Sequence, residues 1–369
     1  MHIYEKTYNE MAGVYLAFES PAMNESPKNF GISHLLEHMI CEATDDMEET
    51  YDENCVNTNA YTGKGEVVFH MTGLSDRVGM FRDDYVKRIL SYEPTEKHFL
   101  KQKPIVTQEL NDWFDDSFKS TYTNYLSKYH GFVTSIGTRE SLESITFEDV
   151  VEFKKNYFSS PSKIIVADKS DFDIDCPVAP KIPKEINLHQ NVNKDSEINL
   201  KSLGMIGGSA PISENRDDYN LRMIVKMLGY GLKSPLYQRL REQESLCYWV
   251  YCFEQYIHNQ NTVLICTSAS MENYQRIQDG IFEVLYNPER YLMKERFNLM
   301  LNNTHALISV REQYRHGMDY LGFHFDKESI SIKKNLDRIN YDGVMDYYMK
   351  HLHPSKRNWT FTNQKELYE

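Results

Sequence analysis

The chain has 369 residues, of which 41% are hydrophobic and 26% charged, with a formal net charge of -13 at pH 7. That length exceeds what one hydrophobic core usually serves, so two domains are expected in a protein of ordinary soluble composition. No run approaches the ~18 apolar residues of a membrane span, and the acidic balance argues against nucleic acid as a partner.

Two strand candidates, MHIYEKTY and GVYLAFES, open the chain. The first carries neither a basic leader nor an apolar segment, from which a cytoplasmic protein is expected. Next comes NFGISHLLEHMICEATDD, residues 29 to 46. Ile32, Leu35, Leu36, Met39 and Ile40 recur at the spacing of an amphipathic helix facing a core. His34, Glu37, His38 and Cys41 project from the opposite side, with the two imidazoles one turn apart and able to reach one ion. The alternative is a solvated polar face, the usual role of any single histidine. However, H-x-x-E-H would arise by chance far less than once in a chain of this composition, and it is the inverted zincin order of zinc ligands.

Asn59 to Thr62, NAYT, precede a strand-like GKGEVVFHMTG, in which His70 reads as structural. Helical patterns follow in SDRVGMFRDDYVKRILSY, KPIVTQELNDWF and TFEDVVEFKKNYF, the last with Thr146 as its N-cap. The strand SKIIVADKS closes a first unit, residues 1 to 175. A proline-rich linker over 176 to 197 leads into a second, 198 to 369, which repeats the order of strand, helices, paired strands and helices. Its last piece, NYDGVMDYYMKHLHPSKRNWTFTN, echoes TFEDVVEFKKNYFSSPSKIIVAD. The expected fold is a duplicated α+β unit, each an antiparallel sheet covered by helices on one side. Histidines at metal spacing occur only in the first copy. The six cysteines form no CxxC pair and read as reduced thiols.

A hydrolytic zinc usually takes three protein ligands plus water. The best candidate for the third is Glu109, on a helix whose core face is expected to be Val106, Leu110 and Trp113, with Gln102 two turns earlier on the same side. Asp112, Asp115 and Asp116 are also available, as is Cys41, and a lone helical glutamate is ordinarily a solvated carboxylate.

HLLEH at 34 to 38, NAYT at 59 to 62, IVTQEL about seventy residues after the histidines, GTRESLESITFEDVVEFKKNYF and SPLYQRLREQESLCYWV together resemble the inverted-zincin peptidases related to pitrilysin, insulin-degrading enzyme and the mitochondrial processing peptidase. The resemblance spans nearly the whole chain. It implies that His34, His38 and Glu109 hold one zinc ion and that Glu37 is the general base, with Arg241, Tyr248 and Asn59 binding substrate. Gln102 stands where members often have a glutamate, and would act in support of the ligands. The resemblance implies a zinc-dependent endopeptidase cutting small or unfolded peptides, or a dedicated precursor-processing protease. The strand from about Glu66 to Met71 resembles the edge on which an extended substrate is laid; a plain core strand is the alternative. A homodimer is implied, a heterodimer with a homologous subunit being the variant. The competing class is a non-catalytic scaffold or partner subunit.

Overall fold

The computed structural model describes residues 2–6, 10–19, 21–63, 66–131, 135–168, 201–215, 218–257, 260–313 and 335–368. The linker expected over 176 to 197, with Cys176, lies outside the described residues.

In chain order the first half runs β1 (His2–Lys6), β2 (Met11–Glu19), α1 (Ile32–Cys41), a 3-10 turn at Glu42–Met47, α2 (Glu48–Glu53), β3 (Asn57–Thr62), β4 (Glu66–Leu74), α3 (Ser75–Ser91), α4 (Glu96–Asp115), α5 (Ser117–His130), α6 (Arg139–Ser144), α7 (Phe147–Tyr157) and β5 (Lys163–Asp168). The second half runs β6 (Leu203–Ser209), α8 (Tyr219–Gly229), the one-turn α9 (Pro235–Tyr237), a π-helical turn at Gln238–Glu242, β7 (Val250–Ile257), β8 (Gln260–Ala269), α10 (Tyr274–Tyr286), α11 (Pro288–Tyr291), α12 (Lys294–Gln313), α13 (Tyr341–His351), β9 (Trp359–Asn363) and α14 (Gln364–Tyr368).

One sheet has the order β1-β5-β2-β4-β3 and the other β7-β8-β6-β9. Set side by side, β5-β2-β4-β3 and β9-β6-β8-β7 are the same arrangement, with the last strand beside the first, then the third, then the second. The internal repeat is therefore one of topology. All pairings are antiparallel except β1 with β5, which adds a parallel strand to the first sheet.

The compact units do not divide at the linker alone. The first takes in the described residues of Met1–Asn111, Val133–Asn187 and Ser309–Ser329, and the second those of Asp112–Phe132, Leu188–Ile308 and Ile330–Glu369. The sequence reading placed Asp112–Phe132 in the first unit; α5, which lies in that segment, packs on β6 and β8 of the second. Its inward face is small and polar, with Ser120, Thr121, Thr123, Asn124 and Ser127 buried beside Tyr125 and Leu126. Glycine on β6 permits the close approach. A Cβ at Gly204 would collide with Thr121 Oγ1 and the Ser117 carbonyl, and one at Gly208 with the Tyr125 hydroxyl.

In the first unit β2 and β4 are buried along nearly their whole lengths. Helix α3 lies over both, and α1 packs beside β3 and α7. The apolar stripe read from the sequence is the buried face of α1, Ile32, Leu35, Leu36, Met39 and Ile40 being 0–2% exposed. On α4 the buried apolar residues are Phe99, Val106, Leu110 and Phe114. Trp113 is only partly buried, its indole N–H donating to Thr123 Oγ1 at 2.9 Å, so the core face turns one residue further than expected.

Candidate metal and catalytic site

Helix α1 starts at Gly31, which has φ of 90°, and a Cβ there would meet the Ile136 carbonyl oxygen at 2.8 Å. No side chain at the N-cap itself serves the first turn. The Glu25 carboxylate does so instead, accepting from the N–H groups of Gly31 and Ser33, each at 2.9 Å. Burial pushes its pKa up to about 7, against those hydrogen bonds, which favour the charged form.

One and two turns along, the imidazoles of His34 and His38 meet edge to face with centroids 4.7 Å apart. Glu109, from α4, brings Oε2 to 3.5 Å from His34 Nε2 and 3.4 Å from His38 Nε2. These separations lie at the long limit of hydrogen bonding. They match the distance of about 3.4 Å between two ligands of a tetrahedral zinc ion, given metal–ligand bonds of about 2.0–2.2 Å. Among the described residues, this trio is the one cluster of histidine, cysteine or carboxylate donors close enough to share an ion, all three atoms lying within 4.8 Å of one another. Cys41 is not part of it. Asp116, another candidate, instead caps α5, accepting from Phe118 N and Lys119 N.

The two imidazoles differ in protonation, and His34 is the one already in the state a cation needs. Burial first, and the neighbouring His38 second, push the His34 pKa down to about 4, which leaves that ring neutral and able to donate a lone pair. Burial also disfavours the charge on His38, but the carboxylates of Glu109 and Glu37 outweigh it and raise the pKa. Gln102, two turns before Glu109, presents Oε1 to His38 Nδ1 at 3.4 Å and donates its amide N–H to Glu42.

Glu37 faces differently from its neighbours. It is 7% exposed, outside the trio, and accepts a 2.8 Å hydrogen bond from the Thr62 hydroxyl on β3. Burial raises its pKa, Thr62 and His38 work against that rise, and Glu109 adds to it.

Of the two readings of Glu66 to Met71, a substrate-side edge or a plain core strand, the second is the one observed. Glu66 to Met71 lie in β4, paired with β2 on one side and β3 on the other. The edge strand is β3, the NAYT segment itself, with Asn59 opposite His70 and Thr62 opposite Val67. An inner strand is a continuous apolar run, whereas β3 is polar and largely unburied. Ala60 and Thr62, two residues apart, turn their main chain to the same side. The Ala60 N–H is held by Asn59 Oδ1 at 2.8 Å, and the Thr62 carbonyl accepts from Ser135 Oγ at 3.0 Å. His70 is a packing residue: buried, stacked on Tyr15 at 5.6 Å, its pKa pushed down to about 4 by burial.

In the second unit Arg241 lies in the π-helical turn and Tyr248 two residues before β7. The alternative for this pair is an arginine paired with a surface acid such as Glu244 and a tyrosine in the core. Glu244 is taken by Arg239 and by Arg276, the latter at 2.9 Å, while Arg241 has a surface acid in Glu242 at 3.7 Å. The Arg241 guanidinium stands 4.5 Å from the centroid of the Tyr248 ring and 4.9 Å from that of Tyr237, whose hydroxyl it also contacts. Tyr248 is 75% exposed, a large aromatic held outside any core by a cation on its face. Sequence reasoning missed three contributors to the metal-side geometry: Glu25, Glu42 and the link from Thr62 to Glu37. Thr62 stood within a quoted motif; Glu25 and Glu42 are isolated acids that no spacing rule singles out.

Residues 1–113 match the family described as "Insulinase (Peptidase family M16)", and residues 144–299 match "Peptidase M16 inactive domain". The chain belongs to the M16 peptidase family. This M16 chain is 22% identical over 299 residues to "Uncharacterized zinc protease YmxG" of Bacillus subtilis, covering 72% of this chain and 70% of that protein. To the "Mitochondrial-processing peptidase subunit beta" of Dictyostelium discoideum it is 28% identical over 174 residues, 44% of this chain and 37% of that one. Among solved structures, a protease from Helicobacter pylori shares the fold with a TM-score of 0.78 at 14% identity, covering 98% of this chain and 96% of that one. The processing-peptidase-like α+β fold expected from sequence is the fold observed.

Proposed function

We propose that this M16 chain is a zinc-dependent endopeptidase for small or unfolded peptides. The observation that carries the reading is the convergence of His34 Nε2, His38 Nε2 and Glu109 Oε2, with the buried Glu37 carboxyl beside them but outside the donor set. A zinc ion held by that trio supplies Lewis acidity, which polarises a peptide carbonyl and acidifies water at the site. Glu37 is the group to take a proton from the attacking water and return it to the leaving amine. Its raised proton affinity suits both transfers, and the Thr62 hydroxyl fixes the carboxyl in place. The side of β3 that pairs with no strand among the described residues offers an extended peptide a backbone to pair with, Asn59 holding the Ala60 N–H until a substrate competes for it. Arg241 and Tyr248 are proposed as further substrate-binding donors, and a homodimer as the working assembly.

The test pairs metal content with turnover. Zinc analysis of purified protein should give about one ion per chain, and His34→Ala or His38→Ala should lose it. Glu37→Gln should keep the metal, yet cleave an unstructured peptide slower by two or more orders of magnitude. A zinc-free wild type, or a Glu37→Gln variant with full activity, overturns the proposal. The "subunit beta" in one relative's name supports a second reading, a chain active only beside a homologous partner. Activity that appears only when such a partner is added would select it.

A further inference from the structure

Behind the metal-side face of α1 lies a chain of polar contacts that the assignments above do not use. It runs from His38 Nδ1 to Gln102 Oε1 at 3.4 Å, from Gln102 Nε2 to Glu42 Oε1, and from Glu42 Oε1 to Lys101 Nζ at 2.6 Å. Glu42 directly follows α1, one turn beyond His38, and Gln102 sits two turns before Glu109 on α4. The chain therefore ties the two helices that carry the donor trio.

We propose that Glu42 is a positioning residue of the metal site: it fixes the orientation of the Gln102 carboxamide and thereby selects the His38 tautomer that can bind a metal. The inference rests on the zinc reading above and goes one step beyond it. A carboxylate only accepts hydrogen bonds, so the side of Gln102 that faces Glu42 must be its NH2 group. The carbonyl oxygen is then left facing His38. Because that oxygen also only accepts, the His38 ring nitrogen opposite it, Nδ1, must carry the proton. In the neutral ring that a metal requires, the lone pair is then on Nε2, the atom 3.4 Å from Glu109 Oε2. With the amide reversed, its NH2 would demand a lone pair on Nδ1, the proton would move to Nε2, and His38 would present N–H where a ligand atom is needed. The glutamine has no preference of its own between these orientations; Glu42 supplies it. Lys101 pairs with Glu42, whose side chain is 7% exposed, and so holds the carboxylate in its accepting form. Consistent with this, Lys101 and Gln102 more than offset the effect of burial and keep the Glu42 pKa below the ordinary carboxylate value.

A glutamate at 102 would accept from Nδ1 without help. In this chain the negative charge stands one side chain further out and acts through an amide, which predicts a specific pattern of loss and rescue. Zinc affinity is measured by competition with a chromophoric chelator for wild type, Glu42→Gln, Gln102→Leu and the double variant Glu42→Gln with Gln102→Glu. Glu42→Gln frees the carboxamide to turn and should weaken zinc binding about tenfold to a hundredfold, the usual cost of losing an outer partner of a histidine ligand. Gln102→Leu should do the same. The double variant, in which a carboxylate at 102 accepts from both Nδ1 and the new amide at 42, should recover most of the loss. A merely structural role for Glu42 predicts no rescue. Independently of any variant's folding, ring 15N–1H correlation spectra of the zinc-loaded wild type should show His38 protonated at Nδ1, with the resonance assigned by its loss in His38→Gln. Affinity in Glu42→Gln equal to wild type, failure of the double variant to recover, or a zinc-loaded His38 without a proton on Nδ1 each overturns the relay while leaving the zinc reading in place. A wild type that binds no zinc overturns both.

Discussion

Glu25 offers the sharpest physical test of how the helix carrying His34 and His38 is held. Its carboxylate accepts from the first free N–H groups of α1 while buried, and its pKa stands at about 7 against an ordinary 4.5. A carboxyl with a raised folded-state pKa binds a proton in the native chain that the unfolded chain has already lost. Stability from this group is therefore present below pH about 4.5 and declines as pH rises through about 7. The displacement corresponds to about 3 kcal/mol between the ends of that window, with a steepest slope of about 1.4 kcal/mol per pH unit. Glu25→Gln keeps one oxygen to accept an N–H, forfeits the second bond at a cost of about 1 kcal/mol, and cannot titrate. Urea unfolding of both proteins at half-unit steps from pH 4.5 to 8, with chelator present so that metal contributes to neither, isolates the term. The histidines and other acids cancel in the difference. Wild type should be the more stable protein near pH 5, and its advantage should shrink or reverse by pH 8. A difference that stays flat across the range would refute the claim that burial, and not the helix N-terminus, dominates this carboxyl.

Two further outcomes follow from the site. Thr62→Val removes the hydrogen bond that lowers the Glu37 pKa, so the acidic limb of kcat/KM should move to higher pH and kcat/KM at neutral pH should fall about tenfold, the scale of one hydrogen bond to a charged group; an unmoved pH profile would show that Thr62 does not touch the base. Arg241→Ala and Tyr248→Phe should leave zinc content and thermal stability nearly unchanged while lowering kcat/KM by about tenfold to a thousandfold, as for lost preorganised donors; peptide cleavage at the wild-type rate in both would confine the site to the first unit.

Which parts of this architecture can be read from the sequence follows from how each side chain is used. Helix α1 is legible because its five apolar residues are all buried, so periodicity and burial coincide. Its N-terminus is less so, since the capping carboxylate lies six residues before Gly31 and reaches it only through the turn between. Helix α5 carries an aromatic period, Phe118, Tyr122, Tyr125, Leu126 and Tyr129, but most of what it buries is polar. It packs through serines, threonines and an asparagine against glycines on β6, and close approach there replaces hydrophobic bulk. The donor trio is half legible. HLLEH fixes two ligand atoms within one helix, whereas the third needs α4 at a particular depth and rotation, set by Val106 and Leu110 in the core.

That the edge falls on β3 and not on β4 follows from the same relation between side-chain use and sequence signal. Apolar β-formers in EVVFHM make the stronger strand signal, and that strength reflects burial on both faces, the mark of an inner strand. A strand meant to keep one side open must do without such a run. NTNAYT is short and polar, and it binds part of its own outward main chain through Asn59 and Ser135, which blunts an edge that could otherwise pair with another chain. The features that make β3 a poor strand by propensity are therefore those that make it a usable edge. They also put Thr62 at the end of that edge with its hydroxyl on Glu37, so that the backbone a peptide would pair with and the base that would act on it are fixed by one residue.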